Sequence, residues 1–97
     1  MTRDEIIAKI KEAAPALRAK GVRRLAIYGS RARGDAREDS DLDLLIDVDD
    51  RIFKGLDLIR VQDIVREATG LETQAEMRRS IEPRFAKRIA DDLVEIF

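Results

Sequence analysis

The residues best suited to chemistry in this chain lie in one stretch, Tyr28-Gly29-Ser30-Arg31-Ala32-Arg33-Gly34-Asp35-Ala36-Arg37-Glu38-Asp39-Ser40-Asp41-Leu42-Asp43. Its two ends suit opposite charges. Gly29 directly follows an apolar run, Leu25-Ala26-Ile27-Tyr28. A glycine there lets the backbone approach a phosphate closely, and Ser30 can offer its hydroxyl and amide to phosphate oxygens at a turn or helix N-terminus. Asp41 and Asp43, two apart on a strand, would project from the same face with side chains roughly 7 Å apart. Two hard carboxylates on one rigid face form half a cage for Mg²⁺, which completes its shell from phosphates and water.

Composition narrows the chemistry further. The 97 residues include no Cys and no His. That excludes a disulfide framework, a thiolate nucleophile, Ser-His triads and His- or Cys-ligated metals. The four aromatics, Tyr28, Phe53, Phe85 and Phe97, are too few for a base-stacking platform. What is left is carboxylates, hydroxyls, Arg or Lys, and hard cations. The net charge of −1 hides segregation. From Pro15 to Gly34 there are six basic residues and no acidic one, and from Asp35 to Asp50 eight acidic residues and one Arg. The blocks meet in the motif. They read either as two solvated faces or as a cation site beside an anion site, as a metal-bound polyphosphate requires. A calcium loop starting at Asp39 fails because its sixth position is Leu44 where the turn requires Gly, and a Walker-type loop fails because Gly34 is not followed by Lys-Ser/Thr. Nucleic acid is not expected as a partner, since the acidic block would repel phosphate.

The elements that must position these residues alternate between helix and strand. Thr2-x-x-Glu5 is a capping box ahead of Ile6, Ile7, Ile10, Ala14 and Leu17 at helical spacing. Pro15 is expected to kink or divide this helix and Gly21 to end it. Leu25 to Tyr28 and Asp41 to Val48 read as strands. In the second, Leu42, Leu44, Ile46 and Val48 face the core, which places Asp41, Asp43, Leu45 and Asp47 on the other face. Leu56 to Ala68 reads as a helix with apolar positions 56, 59, 61, 64, 65 and 68, stopped by Gly70. Leu71 to Met77 is a third strand, and a last helix follows Pro83 with Phe85, Ile89 and Leu93 as its stripe. The order predicts an α/β (α+β) sandwich, a small mixed sheet packed with helices, as one domain over 1–97. No apolar run is long enough to span a membrane, the N-terminus is too acidic for a signal peptide, and the expected setting is cytoplasmic.

Gly29-Ser30, ten residues, then Asp41-x-Asp43 resembles the signature of the DNA polymerase β-like nucleotidyltransferase superfamily. The wording Gly-Ser-Arg-Ala-Arg-Gly-Asp-Ala-x-x-Asp-Ser-Asp-Leu-Asp-Leu-Leu is similar to its minimal nucleotidyltransferase (MNT) branch, and the likeness runs from the first helix to the Pro83-x-Phe85 helix. The resemblance implies that fold, ATP held near Gly29 and Ser30, and Mg²⁺, as two ions, at Asp41 and Asp43. Arg31 and Arg33 are then expected to neutralise charge on the leaving group. It implies transfer of AMP to a hydroxyl, a tyrosine, of a HEPN-domain toxin, with this chain as the antitoxin. Tyr28 reads as strand packing rather than as a catalytic phenol.

The family pattern also expects a third carboxylate on the third strand. Counting back from Pro83, that position is Gln74, which cannot accept a proton. Glu72 and Glu76 lie two residues either side, roughly 7 Å along the strand, and Glu76 is carried forward as a metal ligand. The strand can equally be an edge decorated with charge. Beside the enzyme stands the alternative of a catalytically weak or inactive antitoxin module, which neutralises its partner by binding it.

Overall fold

The computed structural model describes residues 1–97. Helix α1, Arg3–Ala19, begins at the capping box: the Glu5 amide donates to Thr2 Oγ1 at 3.2 Å and the Thr2 amide to the Glu5 carboxylate at 3.0 Å. Pro15 does not divide the helix. It sits on the exposed face, where the carbonyl it leaves unbonded can be solvated. Strand β1, Val22–Tyr28, is longer than its apolar run suggests. The added residues are Val22, Arg23 and Arg24, of which Arg24 sits opposite Asp47 in the sheet and pairs with Glu95 at 3.4 Å.

After β1 comes a single helical turn, α2 (Ser30–Arg33), then a loop to β2, Leu42–Val48. Strands β1 and β2 pair antiparallel, with Tyr28 opposite Asp43. Helix α3, Asp57–Thr69, crosses over to β3, Thr73–Met77, which pairs parallel to β2 with Gln74 beside Asp43 and Glu76 beside Leu45. A 3₁₀ turn at Arg78–Ser80 leads to α4, Pro83–Ile89, and a second at Ala90–Asp92 leads to β4, Val94–Glu95, on the other side of β1. The sheet order is β3-β2-β1-β4. The mixed α+β fold expected from the sequence is therefore present.

The two faces of the sheet differ. Leu25 and Ile27 of β1 and Leu42, Leu44 and Ile46 of β2 join Ile6, Ile10, Leu17, Val61 and Val65 in one core beneath α1 and α3. On the opposite face Ala26, Tyr28 and Leu45 pack with Ile89 of α4, helped by Ile81, Phe85 and Leu93. Alternation on β2 places Asp43 and Asp47 on that second face beside Leu45. Helix α4 covers only part of it. Three expectations shift. The α3 stripe is narrower than positions 56 to 68 suggested, with Leu56 and Ile59 exposed and Val61 and Val65 fully buried. Helix α4 stops at Ile89, so Leu93 packs from the chain that turns back to form β4. Asp41 falls just outside β2. No helix is long and apolar enough to cross a membrane.

Candidate active site

Pairing of β1 with β2 brings the two halves of the motif together. Because Tyr28 lies opposite Asp43, the residue after it, Gly29, meets the Asp43 side chain directly. A Cβ placed on Gly29 would stand 2.8 Å from Asp43 Oδ2. The Gly29 backbone has φ 77° and ψ −158°, a region open essentially to glycine alone. Gly29 is thus fixed twice, by its conformation and by the carboxylate against it. Beyond it, Ser30 opens α2, whose first amides have no acceptor within the helix, and the Ser30 side chain carries no hydrogen bond to the protein.

Three acidic side chains occupy the uncovered part of the second face: Asp41 before β2, Asp43 on it and Glu76 on β3. Burial, then the charges of Asp41 and Glu76, push the Asp43 carboxyl above the ordinary carboxylate range. Burial, with Asp43 and Glu76, pushes the Tyr28 phenol up to about 12. None of the three carboxylates takes an ion pair or hydrogen bond from the protein, although Asp47, Asp49, Asp50 and Asp57 nearby in the chain each have an Arg partner. Arg78 and Arg24 neutralise Asp47, so it drops out of the acidic face to which alternation assigned it. Like charges held together without a protein cation are what a bound cation relieves.

The donor set fits Mg²⁺: hard carboxylate oxygens, two of them close in sequence, beside a backbone suited to phosphate. No three acidic side chains converge to hold a metal ion by themselves. Glu76 does not complete a preformed cage, because it lies beside Leu45, two residue pairs beyond Asp43. The residue beside Asp43 is Gln74. Glu72 turns aside toward Arg66, at 3.9 Å.

Both motif arginines are engaged elsewhere. Arg31 is buried, only 7% exposed, and donates to the backbone carbonyls of Ser40, at 3.0 and 3.2 Å, and Glu38, at 3.1 Å. Arg33 is held by Asp35 at 3.1 Å and Asp92 at 2.8 Å. Both guanidinium groups thus carry protein partners, Arg31 in the interior and Arg33 at the surface. The sequence reading passed over a pair of cations. Arg84 and Arg88, one turn apart on α4, have no carboxylate partner and border a cleft of about 520 Å³ that runs from Glu76 past Ile81 to Phe85. Phe85 meets the Tyr28 ring edge-on at 5.7 Å, and Arg88 lies over its face at 5.3 Å. The i, i+4 spacing of the two arginines was the only signal, and without α4 placed it pointed nowhere.

The family profile of a nucleotidyltransferase domain matches residues 7–96. This chain belongs to that family. The nucleotidyltransferase is 33% identical over 76 residues to protein adenylyltransferase MntA of Thermococcus cleftensis, covering 78% of this chain and 76% of that protein. A Methanocaldococcus jannaschii protein, provisionally named protein adenylyltransferase MJ0435, is 34% identical over 82 residues, 84% of this chain and 87% of the relative. Among solved structures, one described provisionally as a minimal nucleotidyltransferase superimposes with a TM-score of 0.82 at 28% identity, over 97% of this chain and 95% of that one. The fold is also that of a chain in a toxin-antitoxin crystal structure with AMP-PNP, with a TM-score of 0.69 at 13% identity, over 100% of this chain and 73% of that one. The nucleotidyltransferase thus carries its motif, Gly29-Ser30 and Asp41-x-Asp43, on the fold that the resemblance implied.

Proposed function

We propose that this nucleotidyltransferase moves AMP from ATP to a hydroxyl, that of a tyrosine, on a partner toxin of the HEPN class, and acts as the antitoxin of that pair in the cytoplasm. The observation that carries the site is the Asp43 carboxylate packed on the Gly29 backbone, which sets a phosphate cradle beside an acid pair. The protein acceptor is supported by the names of the relatives, which are called protein adenylyltransferases.

In this mechanism the triphosphate lies over Gly29, where no side chain intervenes, and the Ser30 hydroxyl and first α2 amides hold its oxygens. Mg²⁺, as two ions held by Asp41 and Asp43, would when bound neutralise triphosphate charge and make the acceptor hydroxyl more acidic. In-line displacement requires the attacking and leaving oxygens to lie on opposite sides of the α-phosphorus. With pyrophosphate leaving toward Gly29 and Ser30, the acceptor enters from the cleft beside Glu76. Its oxygen bonds to phosphorus as the α–β bridging bond breaks, the electron pair departs with pyrophosphate, and the proton passes to the Glu76 carboxylate and on to solvent. Glu76 here supplies the proton acceptor that Gln74 cannot.

A second reading rests on Gln74 standing directly beside Asp43. With an amide in that place the domain would bind nucleotide and neutralise its partner by covering it, without efficient transfer. Incubating the chain with α-labelled ATP, Mg²⁺ and the protein encoded beside it separates the two. Label on the neighbour that is lost in Asp41→Ala and Asp43→Ala supports transfer. Tight complex formation with no label, unchanged by those substitutions, would establish the second reading instead.

A further inference from the structure

The eight residues from Gly34 to Asp41 join α2 to β2, and none of them is buried. With no apolar anchor, this segment is placed by polar ties. It has an internal turn, in which the Ser40 amide donates to the Arg37 carbonyl at 3.0 Å and the Arg37 amide to Ser40 Oγ at 2.9 Å. Asp35 is tied at the near end, by its amide to the Ser30 carbonyl at 3.2 Å and by its side chain to Arg33. At the far end, immediately before Asp41, the ties are the three hydrogen bonds from Arg31 to Glu38 and Ser40. Arg31 itself stands next to Ser30 on α2, so its guanidinium links the phosphate cradle to the acid pair.

We propose that Arg31 is the positioning residue that places Asp41 relative to Gly29 and Ser30, so that cation binding depends on it although it touches neither cation nor nucleotide. Asp43 needs no such help, since β1 and β3 pair with β2 on both sides of it. Asp41 lies outside the strand; the Leu42 amide after it donates to the Glu72 carbonyl at 2.7 Å, and on the side before it the Arg31 clamp is the tie that joins the local Arg37–Ser40 turn to α2. A planar, five-donor guanidinium suits two carbonyls two residues apart, and an ammonium cannot reproduce that fork. The proposal rests on the assignment of Asp41 and Asp43 as cation ligands made above.

The test compares the full chain with Arg31→Met, Arg31→Lys and Ser40→Ala, the last loosening the same segment without disturbing a buried charge. Two measurements are independent of transfer: Mn²⁺ binding followed by electron paramagnetic resonance, and amide hydrogen exchange of residues 37–41. The expected result is Mn²⁺ affinity weaker by about tenfold in Arg31→Met, partly restored in Arg31→Lys, and intermediate in Ser40→Ala, with faster exchange in the segment and unchanged exchange in β2. In transfer assays kcat falls by up to about a hundredfold, the order expected for an ångström-scale misplacement, and more Mg²⁺ is needed for half-maximal rate. Should Arg31→Met not fold, Arg31→Lys and Ser40→Ala carry the comparison. A lower melting temperature with unchanged Mn²⁺ affinity and unchanged exchange of residues 37–41 would overturn the proposal and leave Arg31 a packing residue. A rise in the KM for ATP alone would overturn it too, by placing the guanidinium on the nucleotide. Absence of transfer in the unsubstituted protein would refute adenylyl transfer, while Mn²⁺ affinity and exchange would still decide the role of Arg31.

Discussion

Replacing Gly29 with alanine perturbs the one point where both halves of the site touch. The new methyl carbon would lie 2.8 Å from Asp43 Oδ2, roughly 0.5 Å inside an ordinary carbon–oxygen contact. Backbone at φ 77° and ψ −158° costs a residue with a Cβ about 1–3 kcal/mol. Relief of the contact must come from Asp43, because its strand is pinned by β1 and β3, so the carboxylate swings rather than the backbone. The combined loss is about 2–4 kcal/mol of stability, and each 2 kcal/mol lowers the melting temperature of a domain this size by roughly 8–16 °C. Displacing Asp43 lowers the transfer rate by about a hundredfold. Differential scanning calorimetry and labelled-nucleotide transfer measure the two effects on the same sample. A Gly29→Ala protein that melts within 2 °C (about 0.5 kcal/mol) of the parent and keeps its transfer rate would refute the packing of Asp43 on Gly29.

Other outcomes follow from the same geometry. The Asp43 carboxyl is raised by burial, Asp41 and Glu76, so the folded state holds its proton to higher pH than the unfolded chain does. Stability therefore falls as pH rises from the ordinary carboxylate range through that raised value. In chelator at neutral pH Asp43→Asn should melt above the parent, with the gap closing on acidification and on addition of Mg²⁺; an Asn variant that melts lower under those conditions contradicts the acidic cluster. Tyr28 is held neutral, with its phenol at about 12. Tyr28→Phe, which keeps the edge contact with Phe85, should therefore leave the shape of the pH–rate profile up to pH 10 unchanged. Leu44 is fully buried on the face away from the acids, and Leu44→Ala should cost about 2–5 kcal/mol in urea unfolding while leaving Mn²⁺ affinity of the folded protein unaltered.

The closeness of Gly29 to Asp43 is legible because alternation on β2 ties Asp43 to a face and because a strand–turn–strand unit is local in sequence. Alternation puts Asp47 on the correct face but does not show that its charge is paired. Its neutralisers, Arg78 and Glu95-bound Arg24, come from β3's end and β1, and no local pattern announces them. The partners of the motif arginines are illegible for a related reason. Sequence shows that Arg31 carries charge, not that its fork is turned inward on two carbonyls nine and seven residues away. Arg33 finds Asp92 across 59 residues. Strand β4, two residues long, is too short for any periodicity, and its place beside β1 is settled by the chain returning from α4. Leu56 and Ile59 belong to the apolar stripe and are nevertheless exposed, because a helical stripe gives a direction but not the width of what covers it. The cleft between Glu76 and Arg84 is likewise a product of where α4 crosses the sheet.

The most direct test of the site is a crystal structure of this nucleotidyltransferase with Mg²⁺ and a non-hydrolysable ATP analogue. The account predicts Mg²⁺ held by Asp41 and Asp43, phosphate oxygens on the Ser30 hydroxyl and the α2 amides, Arg31 still on the Glu38 and Ser40 carbonyls, and the cleft beside Glu76 open for an acceptor. A triphosphate held in that cleft by Arg84 and Arg88, away from Gly29 and the aspartates, would contradict it.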